Sequence, residues 1–124
     1  METEKKIKIL AIDDEPTILE LIKDVLVDSG CLVSTALNGT DALKLLKASP
    51  FDLILCDIAM PGMSGFEVLK EVRAQNTGVK FVFVSAFDNQ ENINKGMELG
   101  AKAFLGKPFN TEDLIDVVER TLKN

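Results

Sequence analysis

Five side chains in this chain could bind a cation, attack as a nucleophile or grip an oxyanion, and each follows a short apolar run: Asp13, Asp14, Asp57, Ser85 and Lys107. Carboxylates brought together repel by a few kcal/mol per close pair at an intermediate effective dielectric. A hard divalent cation relieves that repulsion, and a site with few protein oxygens suits Mg²⁺ or Mn²⁺. A carboxylate can also act as a nucleophile, and phosphoryl transfer mainly needs in-line positioning and charge neutralisation. Asp57 as nucleophile, Asp13 and Asp14 as metal holders, Lys107 as a second positive charge and Ser85 as a hydroxyl donor make a complete set for that chemistry. Taken singly, each has an ordinary explanation. Asp13 and Asp14 could be helix N-terminal acids, Asp57 a turn residue, Ser85 a loop hydroxyl and Lys107 a solvated lysine. Their shared placement favours one site over five coincidences.

That placement depends on the elements. Ile7–Ile12, Leu32–Ala36, Leu53–Cys56, Lys80–Ser85 and Ala103–Leu105 are short and rich in apolar or β-branched residues, which predicts five strands. Helical patterns lie between them. Ile18, Leu19, Ile22, Val25 and Leu26 follow Pro16 at helical spacing, with Gly30 as a stop. Asn38 to Asp41 predicts a second helix start, Ser64 with Glu67 a capping box for the third, and Asn110 a cap for the fifth. The fourth helix is expected after Asp88–Glu91, with Ile93 and Met97 facing inward. Gly96 within it either weakens the helix, by about 1 kcal/mol relative to alanine, or permits close packing. Strands alternating with helices predict an α/β fold with a parallel sheet covered on both faces. Ligands in such folds bind beyond the carboxyl ends of the strands, where all five residues would gather.

The chain has 124 residues, which fits one domain over 1–124. Apolar residues make up 46% and charged residues 27%, proportions of a globular protein rather than a disordered one. The absence of histidine excludes a histidine base, most zinc sites and a phosphohistidine donor. A net charge of −6 argues against a nucleic-acid face. Cys31 and Cys56 lack metal-ligand spacing, and Cys56 reads as a buried thiol. Met1–Lys6 carries no long apolar segment, and no run has membrane-spanning length, so a cytoplasmic location without membrane contact is expected.

Asp13-Asp14-Glu15, Leu53 to Gly65 around Asp57 and Met60-Pro61-Gly62, Val84-Ser85-Ala86, Gly100-Ala101 and Phe104-Leu105-Gly106-Lys107-Pro108-Phe109 occur in the order found in one family. The chain resembles a receiver domain of two-component response regulators, of the chemotaxis-regulator type. The resemblance implies a flavodoxin-like (βα)5 fold with strand order 2-1-3-4-5, an order for which the family itself supplies a known example. It implies that Asp57 accepts a phosphoryl group from a sensor histidine kinase, a phosphotransfer protein or a small phosphodonor. Asp14 and Asp57 would hold Mg²⁺ with the backbone carbonyl of Ala59, and Asp13 would act mainly through water. Ser85 and Lys107 would contact the phosphoryl oxygens, and the Lys107-Pro108 bond would be cis. Ser85 and the aromatic Phe104 would switch position, changing the partner preference of the face made by the fourth helix, fifth strand and fifth helix. An output domain or protein of unspecified kind, and a monomer or weak dimer, complete the expectation.

Ser85 stands where threonine is frequent in the family, Phe104 where tyrosine is, and Ser64 where aspartate is. Phe87 and Ala59 are expected to flank the path of attacking water and to tune the lifetime of the phosphorylated state, or Phe87 simply shields the fourth helix. Other classes fit less well. A haloacid-dehalogenase-like phosphatase needs an acid two residues after its nucleophile, where this chain has Ala59. A flavin-binding flavodoxin would want a hydroxyl- and glycine-rich loop, not Asp13-Asp14-Glu15-Pro16. A degenerate receiver used only for docking would not need all five polar residues. The expected protein is thus a self-phosphorylating switch rather than a multi-turnover enzyme.

Overall fold

The computed structural model describes residues 6–75 and 78–123; the N-terminal stretch read above therefore lies, apart from Lys6, outside the described residues. The elements run β1 (Lys8–Ile12), α1 (Pro16–Asp28), β2 (Leu32–Ala36), α2 (Gly39–Ala48), β3 (Leu53–Cys56), α3 (Gly65–Ala74), β4 (Lys80–Ser85), α4 (Gln90–Glu98), β5 (Ala103–Gly106) and α5 (Thr111–Lys123). All five strands are parallel, in the order β2-β1-β3-β4-β5. Five helices alternate with the strands, which makes this a flavodoxin-like fold.

Alternation along each strand divides the core into two layers. Leu10, Ile12, Ile54, Cys56, Phe81 and Phe83 face Ala42 of α2 and Phe66, Leu69 and Val72 of α3. Ile9, Ala11, Leu53, Leu55, Val82 and Val84 face α1 through Leu19, Ile22 and Leu26, and α5 through Leu114, Val117 and Val118. Both faces of the three central strands are covered, so their side chains are almost wholly buried. β2, at an edge, keeps only Ala36 fully buried.

Caps set where the helices begin, and so where the loops beyond the strands close. Asn38 accepts the Asp41 N–H at 2.8 Å, and Asn110 accepts the Asp113 N–H at 2.7 Å. Ser64 and Glu67 form the reciprocal capping box, each side chain accepting the other's backbone N–H. Each such cap contributes roughly 1 kcal/mol.

One expectation fails in α4. Met97 is 44% exposed, and the inward position belongs to Gly96. A Cβ on Gly96 would come within 2.8 Å of the Phe83 ring. The helix therefore lies directly on that ring, which rotates Met97 off the buried side while Ile93 remains half-buried. Gly96 is a packing notch rather than a weak point in the helix.

Candidate functional site

The carboxyl ends of β1, β3 and β5 meet at a charged pocket. The Asp13 N–H donates to the Ala36 carbonyl at 3.1 Å, and the Asp57 N–H to the Ile12 carbonyl at 3.0 Å. These bonds extend the sheet pairing by one residue and fix both acids at its edge. Gly65 lies against the backbone that follows β3. Its N–H donates to the Ile58 carbonyl at 2.8 Å, and any Cβ there would overlap the Asp57 carbonyl oxygen. Only glycine lets α3 start this close to β3.

Lys107 binds the pocket together. Its Nζ donates to Asp13 Oδ2 at 2.7 Å, to Asp57 Oδ2 at 3.1 Å and to Glu15 Oε1 at 3.4 Å. An ammonium has three protons, and three carboxylates receive them. The remaining oxygens of the two buried acids are also used. Asp13 Oδ1 accepts the Glu15 N–H at 3.0 Å, and Asp57 Oδ1 accepts the Ile58 N–H at 2.7 Å. The Lys107 side chain is only 11% exposed, so these contacts act in a partly desolvated setting. The peptide bond that follows it, Lys107-Pro108, is cis.

Oxygens of Asp13, Asp14, Glu15 and Asp57 all lie within 4.8 Å of one another. Four carboxylates against one ammonium leave the pocket strongly negative. Burial pushes the Asp13 carboxyl above its ordinary range, and the hydrogen bond from Lys107 only partly reverses this. Burial alone would lower the Lys107 ammonium, but its bonds to Asp13 and Asp57 outweigh that and hold it above its ordinary value. Both groups therefore hold their protons more tightly than in water, Asp13 through burial and Lys107 through its acidic partners. An all-oxygen donor set of this kind suits a hard divalent cation.

Asp13, Asp14, Asp57 and Lys107 thus come together. Ser85 sits at the end of β4, fully buried, and reaches Lys107 through its backbone, the Lys107 N–H donating to the Ser85 carbonyl at 3.1 Å. Its hydroxyl accepts the Phe87 N–H at 3.1 Å and, among the described residues, makes no hydrogen bond to the carboxylates. Ala59 is exposed, two residues beyond Asp57. Phe104 is half-buried, its ring 5.8 Å from that of Phe83, which in turn lies 5.2 Å from Phe66. Glu15 is the residue that sequence reasoning left without a role. Its side chain is 59% exposed, yet it reaches Lys107. The only signal was its adjacency to Asp14.

A parallel α/β sheet carrying an acidic, lysine-bridged pocket at its carboxyl edge defines the class. Residues 9–119 match the family described as the response regulator receiver domain. The chain belongs to that family, the CheY-like receivers of two-component systems. It is 34% identical to chemotaxis protein CheY of Bacillus subtilis, over 93% of this chain and 97% of that protein. It is also 34% identical to transcriptional regulatory protein DltR of Streptococcus agalactiae, over 87% of this chain and 48% of that protein, so it spans about half the length of this relative. Chemotaxis protein CheY4 of Vibrio cholerae, crystallised at low pH, superposes with a TM-score of 0.91 at 34% identity, covering 94% of this chain and 99% of that one.

Proposed function

We propose that residues 1–124 form one receiver domain that accepts a phosphoryl group on Asp57 and changes partner binding in response. The observation that carries this reading is the Lys107 ammonium held between the buried carboxylates of Asp13 and Asp57. Asp57 Oδ2 forms the new bond to phosphorus while the bond from phosphorus to the donor breaks, its electron pair leaving with the imidazole of a phosphohistidine or the acetate of acetyl phosphate. Asp14, Asp57 and the Ala59 carbonyl, with Asp13 acting mainly through water, would hold a divalent cation, Mg²⁺ or Mn²⁺, which would supply neutralisation of the phosphoryl oxygens. Lys107 supplies positive charge from the β5 side, and Ser85 donates its hydroxyl proton to a phosphoryl oxygen.

Ala59 offers no carboxylate to serve as a general acid two residues beyond Asp57. Hydrolysis is therefore slow, and the domain stores the group rather than turning over substrate. Phe87 is 53% exposed, next to the switch hydroxyl, and shields the aspartyl phosphate from water. Dephosphorylation of Phe87→Ala is expected to be faster than that of the parent, and equal rates would remove the shielding role. The Ser85 hydroxyl turns toward the phosphoryl group and the Phe104 ring turns inward when that group arrives, and the face formed by α4, β5 and α5 then favours a different partner, a population shift driven by differential contacts. The donors are sensor histidine kinases or phosphotransfer proteins, the setting is cytoplasmic, the domain is a monomer or weak dimer, and the output lies in another domain or protein. Among the described residues no helix is long and apolar enough to cross a membrane.

Incubation with acetyl phosphate, with and without Mg²⁺, tests the proposal by intact mass. A phosphoryl adduct that requires Mg²⁺ and is absent from Asp57→Asn is expected. No adduct on the parent, or an undiminished adduct on the variant, would overturn it.

A further inference from the structure

The loop between β4 and α4, residues 86–89, is held by side chains outside the acidic pocket. The Phe87 N–H donates to Ser85 Oγ at 3.1 Å, and the Phe87 carbonyl accepts from Asn92 Nδ2 at 3.1 Å. Both polar groups of an exposed backbone position are thus engaged by side chains, one from the end of β4 and one from α4. Asn92 is itself anchored, because its backbone N–H donates to the Asn89 side chain at 2.9 Å in the first turn of α4. Its amide therefore moves with that helix. On the other flank the Asp88 carboxylate lies against Gly106, where a Cβ would overlap it, and Gly106 pairs with Ser85 across β4 and β5.

A hydroxyl has one proton to give and two lone pairs to receive. The Phe87 N–H occupies a lone pair of Ser85 and so restricts where the remaining proton can point. We propose that Asn92 is a positioning residue for Ser85. By gripping the Phe87 carbonyl it keeps the Phe87 N–H on Ser85 Oγ, aims the hydroxyl proton at the phosphoryl site, and ties the placement of α4 to phosphoryl recognition, a role that rests on Asp57 being the phosphoacceptor. The two hydrogen bonds on one peptide residue make the link mechanical. If α4 shifts, the carbonyl follows Asn92, and the N–H turns relative to Ser85.

Asn92→Ala and Asn92→Asp both remove the donor while keeping the backbone N–H that Asn89 caps. The first measurement needs no phosphate. Amide exchange of Phe87 should accelerate by about fivefold, the factor of one ordinary hydrogen bond, with the amides of Val82 and Val84 unchanged. The second measures the rate of adduct formation with acetyl phosphate and Mg²⁺ in the parent, Asn92→Ala, Ser85→Ala and the double variant. Asn92→Ala should slow the parent by about fivefold on the same basis and leave Ser85→Ala unaffected. Unchanged Phe87 exchange would overturn the proposal. So would equal slowing in both backgrounds, which marks a general structural effect, or no slowing of the parent. A parent that forms no adduct would instead overturn the phosphoacceptor reading and with it the kinetic role, while the exchange measurement still decides whether Asn92 sets the contact between Phe87 and Ser85.

Discussion

Replacing Lys107 by methionine keeps most of the side-chain stem and removes the ammonium, which isolates the charge. At contacts of 2.7 and 3.1 Å and an effective dielectric of about 20, the ammonium attracts Asp13 and Asp57 by about 5–6 kcal/mol each. Desolvation of the lysine offsets much of this. Without it, two buried carboxylates no more than 4.8 Å apart repel by at least about 3 kcal/mol on the same scale. Breaking one side of a buried pair typically costs about 3–5 kcal/mol, and Glu15, being exposed, changes this little. Lys107→Met should therefore lose about 3 kcal/mol at neutral pH in chelator. With a urea slope of about 1–3 kcal/mol/M for a domain of this size, the midpoint should fall by about 1–3 M. Added Mg²⁺ should restore more stability to the variant than it adds to the parent, because the cation replaces the missing charge. A loss below about 0.5 kcal/mol, the range of an ordinary surface change, with no excess response to Mg²⁺, would refute the view that Lys107 holds an otherwise repulsive cluster together.

Asp57→Asn should act in the opposite direction. It removes one repelling charge while Lys107 keeps Asp13, so stability in chelator should stay within about 1 kcal/mol of the parent or exceed it. The parent should gain about 2.7 kcal/mol at a hundredfold excess of Mg²⁺ over its dissociation constant, and the variant should gain much less, as read by thermal shift. Gly96→Ala should destabilise by about 1–3 kcal/mol through overpacking on Phe83, despite the gain in helix propensity, and a more stable variant in urea melts would contradict the notch. The raised Lys107 value also fixes a sign. Its stabilisation is fully present below the ordinary value of 10.5 and is lost as pH rises through the higher folded value. Urea midpoints between pH 9 and 12 should fall along that limb in the parent, and Lys107→Met should lack this component.

The site was legible because a parallel sheet converts sequence position into spatial position. Asp13, Asp57, Ser85 and Lys107 each terminate an apolar run, and runs of that kind end at one edge. The capping box at Ser64 was equally readable, since both partners lie within one helical turn. Contacts set by tertiary approach were not. Met97 fits an inward helical stripe, but the close approach of α4 to Phe83 at Gly96 turns it outward. Glu15 looks like an exposed acid and gains a partner only because Lys107 returns from the other end of the chain. Asn92 reads as a neutral helix residue, and nothing local shows that its amide reaches back to Phe87.

Chemical trapping tests the central claim most directly. An aspartyl phosphate is an acyl phosphate, and borohydride reduces it to an alcohol, converting the modified aspartate to homoserine. The protein is treated with acetyl phosphate and Mg²⁺, reduced, digested and mapped by peptide mass spectrometry. Homoserine at position 57, formed only when Mg²⁺ was present, is the predicted result. Conversion at Asp13 or Asp14 instead, or at no residue despite a phosphoryl adduct on the intact protein, would contradict the assignment of Asp57 as the phosphoacceptor.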